Sequence, residues 1–127
     1  MAQQLAHIAL LVDDYDKAIE FYTKKLNFTL SEDTILSPEK RWVLVTPKGS
    51  SCSLLLAKAA TAHQQQFIGN QSGGRVFLFL HTDDFDNDYN NLIQNNIKII
   101  REVSEEAYGK VAVFEDLYGN HWDLIGK

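Results

Sequence analysis

Short apolar runs, several of them alternating with polar residues, punctuate this chain. HIALLV (7–12), FTLSEDTIL (28–36), RWVLVT (41–46), FLFLHT (77–82), IKIIREV (97–103) and VAVFED (111–116) each predict a strand. Two stretches change period. Tyr15, Ala18, Ile19, Tyr22 and Leu26 share one face at helical spacing, and so do Phe85, Tyr89, Leu92, Ile93 and Ile97. Each helix is preceded by paired acids, Asp13-Asp14 and Asp83-Asp84. These are expected to cap the helix start and to stabilise its positive end, not to do chemistry.

The second half repeats the first. Val12-Asp13-Asp14-Tyr15-Asp16 returns as Thr82-Asp83-Asp84-Phe85-Asp86, 70 residues on. Gly49-Ser50-Ser51-Cys52-Ser53-Leu54 stands the same distance before Gly119-Asn120-His121-Trp122-Asp123-Leu124. The order β-α-β-β-β is thus predicted twice, in module one (about 1–57) and module two (about 76–127). Between them, about 58–75, lies a linker rich in Ala, Gln, Ser and Gly with at most a short helical turn, in which His63 is solvated. A sheet with one helix covers one face and leaves the other to bury something else. Two such sheets closing around a cavity would make an α+β single domain with a natural ligand site.

Composition narrows the partners. A formal charge of −5 without a Lys/Arg cluster argues against nucleic acid and anionic membranes. The longest apolar runs, such as VFLFL, are too short to span a bilayer, and the N-terminus lacks a signal-peptide pattern. The single cysteine, Cys52, excludes an internal disulfide and fits a reducing cytoplasm; it reads as a structural thiol.

HIALLVDDYDKAIEFYTKKLNF (7–28) resembles the opening of the vicinal oxygen chelate superfamily, and FEDLYGNHWDLI (114–125) resembles its closing pattern. That superfamily includes glyoxalase I, extradiol dioxygenases, fosfomycin-resistance proteins and bleomycin-binding proteins. The resemblance covers the whole chain, as one domain over 1–127, and implies tandem βαβββ modules forming paired curved mixed sheets around a cavity. In metal-using members, four ligands come from the first and last strands of each module. Carried over by the repeat, those positions fall on His7, Ser53, Phe77 and Asp123. Phe77 has no ligand atom and Ser53 is a poor ligand, which leaves His7 and Asp123.

Two function classes follow. The first is a small-molecule binder with a degenerate metal site and no favoured cofactor, whose ligand is anionic or aromatic. Its pocket would be lined by His7, Arg41, Ser53, Phe77, Tyr108, His121 and Asp123. Arg41 would serve an anionic group if its strand register turns it inward; a one-residue slip would turn Trp42 inward instead. The second is a divergent metal-dependent lyase, isomerase or dioxygenase, with Zn, Ni, Mn or Fe on His7 and Asp123. His81 is expected at a strand end and Glu102, Glu105 and Glu106 on the surface. The resemblance also implies a homodimer.

Overall fold

A computed structural model describes all residues, 1–127. The chain forms two compact units, Met1–Ile68 and Gly69–Lys127. In the first, β1 (His7–Val12) leads to α1 (Tyr15–Glu20), which continues as a wider π-helical stretch over Phe21–Lys25. Then come β2 (Thr29–Ser37), β3 (Lys40–Thr46), β4 (Ser53–Lys58) and the short α2 (Ala62–Gln65). The second unit holds β5 (Leu78–Thr82), α3 (Phe85–Gln94), β6 (Ile99–Glu106), β7 (Gly109–Glu115) and β8 (His121–Gly126). Each unit is a four-stranded mixed sheet, ordered β1-β4-β3-β2 and β5-β8-β7-β6. The fold is therefore α+β, and the doubled β-α-β-β-β order is as the repeat predicts.

Both helices begin and end by the same devices. The Asp14 side chain accepts from the Lys17 N–H, and Asp84 accepts from the Asn87 N–H, so the second acid of each pair is the cap. Both stop at an asparagine in the left-handed region, Asn27 (φ 62°) and Asn96 (φ 57°), a conformation its short polar side chain tolerates. The helical pattern read as far as Leu26 and Ile97 therefore overshoots the regular α-helices. Phe28 and Ile97 instead fold back onto the helix ends, their N–H groups donating to the carbonyls of Tyr22 and Leu92.

Strand alternation decides what each sheet buries. In the first unit, Leu10, Val12, Val43, Val45, Leu54 and Leu56 are buried on the helix side with Ala18 and Tyr22. In the second, Ala112, Phe114, Trp122 and Leu124 are buried with Phe85 and Leu92. Phe114 and Trp122 stack at 5.8 Å between ring centroids. The opposite, helix-free faces carry His7, Trp42, Thr46 and Ser53 in one unit and Phe79, His121 and Asp123 in the other.

Candidate functional site

The two modules do not superpose at a constant spacing, and this relocates the candidate residues. Gly49 and Gly119 are matching turn glycines, with φ of 78° and 96°. Three residues follow Gly49 before β4 starts at Ser53, but one follows Gly119 before β8 starts at His121. Ser53 lies beside His7, and the Phe77 N–H donates to the His121 carbonyl, so His121 is the counterpart of Ser53. Asp123 lies beside Phe79, as Leu55 lies beside Ala9. The expected match of Ser53 with Asp123 is thus corrected to Leu55 with Asp123. The slip is of two residues, an even number, so Ser53 and Asp123 keep to the helix-free side of their sheets but stand in different rows.

The antiparallel register of the second module is Val113 opposite Asp123 and Glu115 opposite His121, as the turn at Tyr118 predicts. Transferring it to the first module fails. Leu44, not Val43 or Arg41, registers with β4 residues of the helix-free face, opposite Leu55. The displacement is odd, so it turns over every side chain of β3. Trp42 takes the helix-free side, where its ring meets His7 edge-on at 5.8 Å.

Arg41, expected in the pocket, points to the helix side. Its Nε and Nη2 donate to Asp33 at 3.1 and 2.6 Å, and its Nη1 donates to Asp16 at 2.9 Å. The guanidinium lies over the Tyr15 ring at 5.2 Å, and the Arg41 N–H donates to the Tyr15 hydroxyl. The hydrogen bond to Asp33, then that to Asp16, hold the guanidinium in its charged form. Lys110 repeats the arrangement in the second module, donating to Asp86 at 2.8 Å. Asp16 and Asp86 are matching first-turn residues, so each module pins its third strand to its helix with one cation. This surface-side role leaves Arg41 no part in holding an anionic ligand on the other face.

The remaining candidates are placed as follows. His7 opens β1 and is exposed; Ser53 opens β4, its hydroxyl 2.6 Å from that of Thr46. His121 opens β8, with Nε2 3.5 Å from Glu115 Oε2. Phe77 immediately precedes β5. Tyr108 sits in the two-residue turn between the paired Glu106 and Gly109, 63% exposed at a hairpin tip. His81 is exposed opposite Ile125 in β5, as its strand-end position predicts. Sequence reading missed Ser31 and Thr46, whose hydroxyls are 2.6 Å apart across β2 and β3, and it passed over Phe79, which is 60% exposed beside Asp123.

Asp123 is half-buried. Burial raises its pKa above the ordinary 3.8, and the charge of Arg101 partly opposes the rise. A raised carboxyl binds its proton more tightly folded than unfolded, so stability falls as pH climbs through that raised range, and the deficit persists above it. Asp123→Asn should therefore unfold at a higher temperature than wild type at pH 7, with the gap closing below about pH 4. Equal transitions at pH 7, followed by circular dichroism, would mean that solvent or Arg101 compensates the carboxylate fully.

Of the four positions carried over by the resemblance, His7 and Asp123 alone bear strong ligand atoms. Ser53 is engaged by Thr46, and the residue beside Asp123 is Phe79. No group of three or more His, Cys, Asp or Glu side chains is arranged to hold a metal. No step through a metal is derived from these residues.

The chain is similar to known proteins along almost its full length. A Shewanella frigidimarina protein is 59% identical over 98% of this chain and 94% of its own. UcmS2 is 30% identical, covers 98% of both chains and has a TM-score of 0.84. TnmS3, an antibiotic binding protein from Streptomyces sp. CB03234, is 27% identical with a TM-score of 0.79 over 98% of this chain and 96% of its own. The model of the glyoxalase/bleomycin resistance protein/dioxygenase superfamily matches residues 4–124, and this chain belongs to that superfamily.

Proposed function

We propose that the protein binds a small organic molecule bearing an aromatic ring, on the helix-free faces of its sheets, at a metal site that has degenerated. The observation that carries this reading is Phe79, 60% exposed in the row of the partly desolvated Asp123. A large ring left open on a sheet face, next to a half-buried carboxylate, favours a ring with a hydrogen-bond donor. Trp42 and His7 offer a second aromatic surface. With Arg41 engaged on the helix side, an anionic ligand loses its expected partner, and aromatic character becomes the stronger half of the expectation. The similarity to an antibiotic binding protein supports binding as the activity. Membership of the superfamily supports a homodimer, and the lone Cys52 supports a cytoplasmic setting.

The test is a thermal-shift screen of aromatic compounds of each charge, followed by titration of the hits against Trp fluorescence. Binding is expected, with affinity falling about tenfold or more in Phe79→Ala and holding in Arg41→Ala. Metal content of the untagged protein is measured in parallel, after incubation with Ni²⁺, Zn²⁺, Mn²⁺ and Fe²⁺ and desalting. About one retained ion per chain, lost in Asp123→Ala, would overturn the reading in favour of the metal-dependent lyase, isomerase or dioxygenase. So would an aromatic panel that gives no binding.

A further inference from the structure

Three hydroxyls cross the first sheet in a line. Ser31 Oγ lies 2.6 Å from Thr46 Oγ1, and Thr46 Oγ1 lies 2.6 Å from Ser53 Oγ. Ser53 is the residue paired with His7 on β1, so all four strands put polar side chains into this row, β2 through Thr29, which registers with Thr46, and through Ser31 at the adjoining bulge. The next row of the same face reads Ala9, Leu55 and Leu44 on β1, β4 and β3, and ends on the exposed Glu32 of β2. Around Ser53 the row is flanked by the apolar Ala9, Leu55 and Leu44, and a polar line beside apolar surface is where a ligand's polar edge gains most.

Three hydroxyls carry three protons, and the two bonds between them use two. If the bonds run from Ser31 through Thr46 to Ser53, the spare proton is on Ser53, which can donate it. If they run the other way, the spare proton is on the exposed Ser31, where water takes it, and Ser53 is left to accept. The heavy atoms are the same in both, and only hydroxyl torsions change. Each hydroxyl in such a chain also polarises the next.

Resting on the small-molecule reading above, we propose that Ser53 is the specificity-determining contact for a ligand oxygen, and that Thr46 and Ser31 let it serve a carbonyl or a hydroxyl equally. Thr46 is a positioning residue that acts through Ser53. A ligand carbonyl receives the Ser53 proton. A ligand hydroxyl donates to Ser53, whose own proton then passes its bond to Thr46 and so along to solvent. Without Thr46 the second mode strands the Ser53 proton in a site the ligand has dried, and an unpaired donor there is costly. The first mode loses only the polarisation.

The probes are fluorenone and fluorenol, which differ at one oxygen. Dissociation constants are measured by calorimetry, and contact is read from the amide resonances of Ser53 and His7. Wild type should bind both within a few-fold, moving both resonances. Thr46→Val, nearly the same shape, should weaken fluorenol about tenfold more than fluorenone. Ser53→Ala should weaken both and remove the discrimination. Thr46→Ser, which restores a hydroxyl, should restore fluorenol. Equal losses in Thr46→Val, or binding that leaves the Ser53 resonance unmoved, would overturn the relay. If other aromatic compounds bind but neither fluorene probe does, this inference fails alone; if no aromatic compound binds, the small-molecule reading fails with it. Circular dichroism of each variant separates loss of contact from loss of fold.

Discussion

Asp116→Ala should lower the unfolding free energy by about 3 kcal/mol, a loss that arises from hydrogen bonding and not from packing. Asp116 is 4% exposed and Asn120 3%. The Asp116 carboxylate accepts from the backbone N–H groups of Tyr118 and Asn120 through Oδ1, and from the Asn120 side-chain amide through Oδ2, each at 2.9 Å. The backbone closes the same turn: the Asp116 N–H donates to the Asn120 carbonyl and the Gly119 N–H to the Asp116 carbonyl. Alanine would leave three donors in or near the protein interior without the charged acceptor they were arranged around. Asp116→Asn, which keeps the shape but loses one acceptor oxygen, should cost about half as much. Chemical denaturation measures both. An Asp116→Ala variant as stable as wild type would show that water satisfies this turn.

Gly69→Ala should cost about 3 kcal/mol as well, whereas Gly73→Ala should cost about 1 kcal/mol. Both glycines have positive φ, 77° and 67°. They differ in surroundings. A Cβ on Gly69 would overlap the carbonyl group of Tyr118, whereas one on Gly73 would meet nothing within 4 Å. The comparison therefore separates backbone strain, common to both, from the close approach that only Gly69 makes. Hydrogen exchange at Gly119 and Asn120 adds a local readout, since Gly69 rests on the turn that Asp116 organises. Equal losses in the two variants would mean that the Tyr118 turn yields without cost.

The acid and Gly-Asn of the family-like ending are, on this account, a fold element. The carboxylate clips the turn between β7 and β8, and so fixes where His121 and Asp123 enter the sheet. Reading that motif for chemistry alone misses its main physical effect.

Much of the fold was legible because period and repeat are local signals. Six apolar runs, two helical faces and two capping acids lie in contiguous sequence, and each leaves its mark within a few residues. The site was less legible because it depends on register, which no local pattern fixes. The repeat spacing aligns the two turn glycines, and so hides the extra residues that follow Gly49. That concealment matched Ser53 to Asp123, and a further one-residue difference ahead of Gly49 made the displacement of β3 odd and put Arg41 on the wrong face. One signal was present: Arg41 and Lys110 each open a central strand while Asp16 and Asp86 each open a helix, a matched pair of charges that needs a shared strand-to-helix contact. The Ser31–Thr46–Ser53 row had no such signal, because its members are far apart in sequence and unremarkable in type.

The unequal loops after Gly49 and Gly119 suggest how a duplicated gene of this kind acquires new ligands. Once two copies of a module drift apart, insertions in the turn before the last strand come in two sorts. An odd one inverts that strand, burying its binding residues and exposing its core, unless the turn itself absorbs the odd residue, as the turn between the paired Val45 and Leu54 does relative to that between Phe114 and Trp122. An even one preserves the core and moves the binding residues one row along the sheet, by about 7 Å. Two extra residues after Gly49 are therefore enough to present Ser53 where the sister module presents His121, without any substitution in the strand itself.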